Sequence, residues 1–345
     1  MILNDFDYKL DEDLIAQFPA QKREMSRMMV LDRTNLTIEH RHFYDITDYL
    51  DENDFLVLNN TKVIPARLYA KKDTGALIEI FLVREISKDI WSALIKPSKR
   101  VKAGMIVKIS DELSVEILKK DEDKWFVKLI YNGNIFEILD RTGHVPLPPY
   151  IERKLTQNQY KNLDFERYQT VYAEKSGAAA APTAGLHFTQ EILDKLDKKG
   201  VHHCFITLNV GLGTFKPVKC ENILEHKMDS ELFEITPAAA EAVNNALKEG
   251  KKITAVGTTS VRTLETAMNK YGKILPVKDE STLFIYPGYE FKIVNKLLTN
   301  FHLPKSTLLM LVSAFAGKDY IFKAYETAVK EKYRFYSYGD CMLIK

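Results

Sequence analysis

The sequence has 345 residues, a hydrophobic fraction of 46%, a charged fraction of 28% and a formal net charge of +2. These values are typical of a folded globular protein of one or two domains and exclude a largely disordered chain. The small net charge excludes nucleic-acid binding by a uniformly basic surface, so any such binding requires a local basic patch.

Targeting and redox features are also informative. No stretch is apolar for long enough to span a bilayer, and the N-terminus carries acidic residues where a secretory signal carries basic ones. The three cysteines, Cys204, Cys220 and Cys341, form no paired framework, which is typical of a reducing compartment. We therefore expect a cytoplasmic protein with no membrane partner.

The N-terminal region is predicted to contain a helix over residues 11–18 and buried strands over 28–31 and 55–58. Open α/β sheets usually place a binding crevice at the carboxyl ends of their strands. We therefore expect the polar residues after the second strand to line such a crevice, with an ordinary Asn-rich turn as the alternative. These residues are Asn59, Asn60, Thr61, Lys62 and Arg67.

Residues 68–150 have a different sequence pattern from the residues before them, with short β-rich runs separated by turn residues and no helical pattern before about Ile135. They predict a small all-β barrel domain inserted into a larger α/β domain made of residues 1–67 and 151–345. The window 91–110 contains five basic residues and no acidic one, including Lys96, Lys99 and Arg100. Such a patch favours phosphate binding, and a solvated hairpin face is the alternative.

A stretch of small residues, Ser-Gly-Ala-Ala-Ala-Ala-Pro-Thr-Ala-Gly-Leu-His-Phe, occupies positions 176–188. Small side chains allow a ligand or a strand to approach the backbone closely, and Gly185 permits a left-handed turn. Thr189 is expected to cap the following helix, which places His187 before a helix N-terminus. There it would titrate near neutral pH or bind an anionic group. The alternative is a tightly packed turn with a core histidine.

Strands and helices alternate beyond that stretch, which indicates an α/β fold with a mainly parallel sheet covered on both faces. Predicted helices span 189–199 and 237–249, predicted strands span 201–208 and 253–256, and a further helix starts at Val261. The turn 257–260 contains Thr258 and Thr259, with Arg262 just beyond it, and suits a carboxylate or phosphate. It lacks the lysine and the spacing of a nucleotide-triphosphate loop.

Other candidate residues occur singly or in weak motifs. Gly211 and Gly213 bracket a leucine, but no helix follows directly, so a dinucleotide site is not indicated and a glycine-supported ligand loop stays open. His226 and Glu231 would suit a general base and its orienting partner. Consecutive residues in a strand alternate faces, so His202, His203 and Cys204 make a poor metal site and no metal is expected.

The C-terminal segment is dense in aromatic residues, which can stack on a base or surround a sulfonium cation but are more often core residues. Four polar residues lie among these aromatics and need partners if they are buried. They are Asn300, His302, Arg334 and Asp340.

Nine motifs, taken together and in order, resemble the S-adenosylmethionine:tRNA ribosyltransferase-isomerase family of queuosine biosynthesis. They occupy residues 14–17, 57–67, 97–100, 146–151, 167–172, 181–188, 211–215, 257–262 and 299–306. Two segments depart from the family pattern. The family usually has histidine where this chain has Asn209, and His-Met-His-Ser-Glu where it has Lys-Met-Asp-Ser-Glu at 227–231.

The resemblance implies that the ribosyl part of S-adenosylmethionine is transferred to the aminomethyl group of 7-aminomethyl-7-deazaguanine in a tRNA anticodon. The ribosyl group is isomerised to an epoxycyclopentane, giving epoxyqueuosine, and adenine and methionine leave. S-adenosylmethionine is then a consumed substrate and no cofactor is implied. The reaction needs a base for the proton beside the sulfonium and a cationic surface for the anticodon stem-loop.

The resemblance also guides the assignment of site residues. The candidate catalytic residues are His187, His226 and His302 as base or acid, with Glu231 and Asp340 as orienting carboxylates. The candidate substrate-binding residues are Asn59, Asn60, Thr61, Thr183, Gly185, Gly211, Gly213, Thr258, Thr259, Arg262 and Asn300. The candidate tRNA contacts are Lys62, Arg67, Lys96, Lys99, Arg100 and Arg167.

Two alternatives belong to other classes of protein. A tRNA-binding module without catalysis would tolerate changes in the small-residue stretch and at His187. An S-adenosylmethionine-dependent tRNA methyltransferase would yield S-adenosylhomocysteine in place of adenine and methionine, but its usual glycine-rich loop after a first strand is absent near the N-terminus.

Overall fold

Two large β-sheets organise the chain, whose computed structural model describes residues 1–71, 75–153, 158–211 and 218–345. The strands are β1 (Arg27–Asp32), β2 (Thr37–His42), β3 (Asp54–Asn59), β4 (Thr61–Val63), β5 (Arg67–Lys71), β6 (Leu77–Ser87), β7 (Ile90–Lys96), β8 (Ile106–Lys108), β9 (Leu113–Asp121), β10 (Lys124–Tyr131), β11 (Lys175–Ala178), β12 (His202–Leu208), β13 (Glu231–Ile235), β14 (Lys252–Val256), β15 (Val277–Ser281), β16 (Val294–Asn300) and β17 (Cys341–Ile344). The helices are α1 (Ile135–Thr142), α2 (Lys161–Arg167), α3 (Gln190–Lys198), α4 (Pro237–Lys248), α5 (Thr258–Tyr271), α6 (Thr307–Ala316) and α7 (Lys318–Lys330).

The larger sheet is mixed, with the strand order β15-β13-β12-β3-β14-β16-β17-β1-β2 among the described residues. Its four central strands, β12, β3, β14 and β16, run parallel. The predicted mainly parallel sheet is therefore right at the centre and wrong at the flanks, where four of the eight pairings are antiparallel. One physical reason is local: only four residues join β1 to β2, and a turn that short can join only antiparallel neighbours.

Strand β3 lies at the middle of this sheet, and all six of its residues are buried. Phe55 and Val57 pack into a cluster that also contains side chains of α4 and α5. Leu56 and Leu58 pack on the opposite face with side chains of α3. The side chains of a strand alternate between its faces, so helices cover both faces of the sheet, as the sequence predicts.

The second sheet is antiparallel, with the order β5-β6-β7-β10-β9-β8. Its two edge strands, β5 and β8, approach one another, so the sheet is nearly closed and resembles a barrel. Alternating residues such as Val115, Ile117 and Val127 fill its interior. Helix α1 adds Ile138 and Leu139 to the same core.

Two local predictions are wrong. The helix expected over 11–18 is only a short 3-10 turn, Glu12–Leu14. The chain after it is extended because Phe335 N donates to Leu14 O at 2.8 Å and Ala16 N donates to Phe335 O at 3.3 Å. Helix α5 begins at Thr258, three residues before the predicted start, because Gly257 adopts a φ of 87° and ends the preceding strand abruptly. Of the helices in the described ranges, none is both long and apolar enough to cross a membrane.

Candidate active site

A cavity of about 70 Å³ lies at the carboxyl ends of the central strands β14 and β16. Strand β14 leads into Gly257, and β16 ends at Asn300, which itself lines the cavity. This is the position at which parallel α/β sheets usually bind ligands. The lining residues are Tyr150, Ala181, Pro182, Thr183, Ala184, Val210, Gly257, Thr258, Thr259, Thr299, Asn300, Phe301, His302, Leu303, Ser306, Leu308, Tyr336 and Ser337.

Two helices begin at this cavity. The first residues of α5, Thr258 and Thr259, line it, and so do Ser306 and Leu308 at the start of α6. The Ser306 hydroxyl caps α6 by accepting a hydrogen bond of 3.2 Å from Leu309 N. Both helices present free backbone donors and the positive ends of their dipoles there, so the cavity favours an anionic group.

The small-residue stretch forms another wall through Ala181, Pro182, Thr183 and Ala184. Its glycine has a different role from the one predicted. Gly185 has no positive φ; it lies in the 3-10 turn Thr183–His187, where an added Cβ would overlap the Tyr172 hydroxyl and lie 2.8 Å from Thr170 Cγ2. Close packing, not a left-handed turn, therefore requires glycine at this position.

Two oxygen atoms at the cavity lack hydrogen-bond donors. Asn300 Oδ1 and Thr259 Oγ1 are buried and have no partner within the described part of the chain. The orientation of the Asn300 amide is fixed because its Nδ2 donates to the carbonyl oxygen of Tyr336 at 3.1 Å. Buried acceptors in folded proteins nearly always have a partner, so these two atoms point to a ligand that carries N–H or O–H groups.

The three candidate histidines occupy different places. His302 lines the cavity, where its Nε2 lies 3.0 Å from Thr299 Oγ1, and burial lowers its pKa to about 3. His187 lines a separate small cavity beside Arg23 and Tyr338. His226 is half-buried, with its ring edge-on to Phe284 at 5.3 Å, and partial burial lowers its pKa.

The near-neutral titration expected for His187 is wrong. Burial, with smaller contributions from the positive charges of Arg334 and Arg23, lowers its pKa to about 3. The imidazole is therefore neutral at physiological pH. His187 does precede the N-terminus of α3, which Thr189 caps as predicted, but it ends the turn Thr183–His187 and its side chain is buried.

The two candidate carboxylates are fully engaged away from the cavity. Glu231 forms a buried ion pair with Arg262, and its Oε1 accepts a hydrogen bond of 3.0 Å from Gly211 N. Asp340 accepts hydrogen bonds from Arg27 N at 3.0 Å and from Arg334 N at 2.8 Å. These contacts hold backbone segments in place. Gly213 lies outside the described residues.

The polar side chains at and after the end of β3 form a network of hydrogen bonds with neighbouring backbone and side-chain groups. Asn59 accepts hydrogen bonds from Leu208 N and Thr61 N at 3.0 and 3.1 Å. Asn60 Oδ1 accepts a hydrogen bond of 2.7 Å from the Thr207 hydroxyl. The Thr61 hydroxyl donates at 2.8 Å to Asn209, the residue that departs from the family pattern. This network fixes the strand end but does not line the cavity at β14 and β16.

The basic candidates are spread over several surfaces. Lys96, Lys99 and Arg100 are exposed at and after the end of β7. Arg67 lines a separate cleft, and Lys62 lies in β4. The guanidinium of Arg167 donates to the carbonyl oxygens of Ala20 and Gln21.

The cavity also contains residues that the sequence did not single out, notably Tyr150 and Tyr336. Their rings lie 4.7 Å apart, and the Tyr150 hydroxyl is 2.7 Å from Ser337 Oγ. Tyr336 has a φ of 71°, which is strained for a bulky residue and is typical of functional sites. Aromatic density near the C-terminus is the sequence signal that points to this region, but it does not select these two rings.

The described residues contain no group of three or more His, Cys, Asp or Glu side chains placed to hold a metal ion. The polar character of the cavity comes instead from hydroxyl, amide and imidazole groups and from the two helix N-termini.

Comparisons with known proteins agree with one another. A family described as "Queuosine biosynthesis protein" matches residues 3–344. The chain is 56% identical over 345 residues to a protein named S-adenosylmethionine:tRNA ribosyltransferase-isomerase from Sulfurihydrogenibium sp. (strain YO3AOP1), covering 100% of each. It is 51% identical over 348 residues to a protein of the same name from Clostridioides difficile (strain 630), again covering 100% of each.

A solved structure is similar as well. It is the crystal structure of S-adenosylmethionine tRNA ribosyltransferase from Thermotoga maritima, which is 40% identical in sequence. The match covers 99% of this chain and 100% of that chain, with a TM-score of 0.56.

Proposed function

The chain belongs to the S-adenosylmethionine:tRNA ribosyltransferase-isomerase family of queuosine biosynthesis, and we propose that its reaction takes place in the cavity at the ends of β14 and β16. The ribosyl group of S-adenosylmethionine is transferred to the aminomethyl group of 7-aminomethyl-7-deazaguanine in the tRNA anticodon and is isomerised. The products are epoxyqueuosine-tRNA, adenine and methionine.

One observation carries this location. Two unpartnered buried oxygens, Asn300 Oδ1 and Thr259 Oγ1, and the N-termini of α5 and α6 are found at the same cavity. The oxygens would accept hydrogen bonds from N–H groups of S-adenosylmethionine, on adenine or on the methionine ammonium. The helix N-termini would hold the methionine carboxylate.

The aromatic residues Tyr150 and Tyr336 suit the sulfonium cation, because the faces of aromatic rings attract cations. At about 70 Å³ the cavity is smaller than the roughly 300 Å³ at which ligand pockets usually begin. Binding of S-adenosylmethionine therefore requires side chains at its rim to move, and the ring of Tyr336 is the one we expect to do so.

Among the three candidate histidines, His302 is the one at the cavity, and it takes the role of base or acid in this proposal. Burial keeps the imidazole neutral, so one ring nitrogen has a lone pair that can accept a proton, although a pKa of about 3 makes it a weak base in the free protein. His187 acts one step away as a positioning residue, through its 3.2 Å contact with Asn300.

The tRNA would bind across both sheets. Residues 68–150 form an inserted domain that presents Lys96, Lys99 and Arg100 to RNA phosphates, and residues 1–67 and 151–345 form the catalytic domain. S-adenosylmethionine is a consumed substrate in this reaction, and we propose no metal and no bound cofactor. The site of action is the cytoplasm, where tRNA and S-adenosylmethionine are both available.

The test is adenine release from S-adenosylmethionine by the purified protein, with tRNA that carries 7-aminomethyl-7-deazaguanine and with the same tRNA carrying guanine. Release of adenine and methionine with the modified tRNA alone is the expected result. Formation of S-adenosylhomocysteine would make the protein a methyltransferase. Bound tRNA without any release would make it a binding module, and either result would overturn the proposal.

The location is tested separately with His302→Gln and His226→Gln, since His226 lies away from the cavity. We expect the first variant to reduce turnover by about 100-fold or more while tRNA binding is kept. The second should retain turnover. Loss of turnover in His226→Gln, with turnover retained in His302→Gln, would contradict the proposed location of the reaction.

A further inference from the structure

A second, larger cleft of about 600 Å³ lies beside the second sheet. Arg67 and Tyr69 of β5 line it, together with residues 147–149 and 151–153 and the start of α2. We propose that this cleft binds an unstacked nucleotide of the tRNA anticodon loop, next to the nucleotide that is modified. This proposal rests on the proposed function, because it takes tRNA to be the substrate.

The cleft offers aromatic faces to a nucleobase. The rings of Phe18 and Tyr160 lie 5.1 Å apart, and the Arg153 guanidinium lies over both, at 4.7 and 5.3 Å from their centroids. Phe18 is still 44% exposed, so part of its ring is accessible from the cleft. Tyr69 also lines the cleft, edge-on to His144 at 5.1 Å. Bases of single-stranded RNA bind proteins chiefly by stacking on such rings.

The cleft also offers an available cation. Arg67 donates to Leu147 O at 3.1 Å and lies over the Phe81 ring at 5.5 Å. Among the described residues its Nε has no hydrogen-bond partner, and no carboxylate lies within ion-pair distance of its guanidinium. The neighbouring Arg153 differs, because Asp164 neutralises it at 2.8 Å. An RNA phosphate would give Arg67 the charged acceptor that it lacks.

The positive charge of Arg67 also affects the pKa of a neighbouring histidine in the cleft. Burial lowers the pKa of His144, and the positive charges of Lys161 and Arg67 lower it further. Lys161 lines the cleft and donates to Arg141 O at 3.3 Å. Two carboxylates line the cleft: Asp164, which is paired with Arg153, and the exposed Glu152. Tyr69, which also lines it, interacts with both Arg67 and Glu79. Arg67 and Lys161 together place positive charge beside His144.

Tyr150 connects the cleft to the candidate active site. Its two neighbours in sequence, Pro149 and Ile151, line the cleft, while Tyr150 itself lines the cavity at β14 and β16. Its carbonyl oxygen accepts a hydrogen bond of 2.7 Å from Gln17 Nε2, and Gln17 lines the cleft. One residue thus separates the two spaces, so successive nucleotides of one RNA strand could occupy them.

The experiment measures binding of a fluorescently labelled anticodon stem-loop RNA that carries guanine, which needs no turnover. The double variant Phe18→Leu and Tyr160→Leu keeps apolar packing but removes both stacking faces. We expect its Kd for the RNA to rise by about 5- to 150-fold, the cost of one lost base stack. Its KM for S-adenosylmethionine should be unchanged.

Two further variants sharpen the result. Phe136→Leu removes a ring that is 37% exposed on α1 and does not line the cleft, so RNA binding should stay within twofold of the wild type. Arg67→Gln should weaken RNA binding and lower the slope of log Kd against log salt by about one, whereas Arg67→Lys should restore that slope.

Unchanged RNA affinity in a folded Phe18→Leu/Tyr160→Leu variant would overturn the proposal, as would equal losses in that variant and in Phe136→Leu. Failure of the proposed function would look different. In that case the wild-type protein itself would release no adenine with modified tRNA, whatever the affinity of the cleft variants for the stem-loop.

Discussion

The imidazole Nε2 of His187 lies 3.2 Å from the amide Nδ2 of Asn300, and the amide is the donor. The direction is fixed because the same Nδ2 also donates to the carbonyl oxygen of Tyr336. An imidazole nitrogen that accepts a hydrogen bond carries no proton, so the ring of His187 is neutral. Burial and the charges of Arg334 and Arg23 favour the same state, because both lower its pKa.

This relationship predicts how stability depends on pH. His187 and His302 each have a pKa of about 3 in the folded protein, against 6.5 as the ordinary value. The unfolded chain therefore binds protons between pH 6.5 and 3 that the folded chain does not. Each histidine favours folding fully above pH 6.5 and progressively less below it, by up to about 1.4 kcal/mol per pH unit.

Urea unfolding at pH 7 and pH 5 measures this slope. His302→Gln should reduce the fall in unfolding free energy between the two pH values relative to the wild type. His42→Gln is the control, since that ring stacks on Tyr44 at 5.2 Å near the surface. An equal slope in wild type and His302→Gln would contradict the assigned neutral state.

Features that depend on local patterns were predictable from the sequence. The apolar run 55–58 locates β3, and Thr189 accepts the capping hydrogen bond predicted for it at the start of α3. Of the five cavity residues among the site predictions, Thr258, Thr259 and Asn300 follow from the rule that ligands bind at strand ends.

Features that depend on distant partners were not predictable. Nothing near Gly185 in the sequence shows that Tyr172 packs against its backbone, so a turn was predicted where a close contact exists. The ion pair of Glu231 with Arg262, 31 positions away, is likewise not visible in the local pattern that made Glu231 a candidate orienting carboxylate. Long-range packing and pairing decide such roles, and a single sequence does not reveal them.

Gly185→Ala tests the close contact. The new Cβ would overlap the Tyr172 hydroxyl, so we expect a loss of about 1–3 kcal/mol in unfolding free energy, typical of overpacking. That hydroxyl is buried without a partner, so Tyr172→Phe costs little by itself and should recover part of the loss in the double variant.

A double-mutant cycle by urea unfolding gives the coupling energy between Gly185 and Tyr172. Gly211→Ala serves as the matched control, because its added Cβ would meet no atom of the described residues closer than 4.0 Å and its φ is not positive. Additive losses at Gly185 and Tyr172, or a loss at Gly211 as large as that at Gly185, would show that the contact does not explain the glycine.

The buried pair Glu231–Arg262 predicts a large effect on stability. Glu231→Ala leaves the Arg262 guanidinium without its carboxylate in a site where both side chains are at most 5% exposed. We expect a loss of about 3–5 kcal/mol, because an uncompensated buried charge is costly. Lys108→Ala, which breaks the exposed pair with Asp111, should cost far less, because water screens that pair. Thermal and urea unfolding of both variants measure the difference, and equal losses would contradict the burial argument.

Thr259→Val tests whether the unpartnered hydroxyl at the cavity binds S-adenosylmethionine. Helix α5 provides a matched control in Thr263, whose hydroxyl is also buried without a partner but does not line the cavity. Both substitutions keep the side-chain shape and remove an unsatisfied polar atom, so neither should lower the stability of the free protein. Only Thr259→Val should weaken S-adenosylmethionine binding, by about 10-fold for one lost hydrogen bond of about 1.4 kcal/mol. Titration calorimetry and the ligand-induced rise in Tm report this difference, since a weaker Kd gives a smaller stabilisation at the same ligand concentration. If the two variants bind S-adenosylmethionine equally well, the oxygen of Thr259 does not contact the substrate. Only Asn300 Oδ1 would then remain of the two oxygen atoms on which the location of the S-adenosylmethionine site rests.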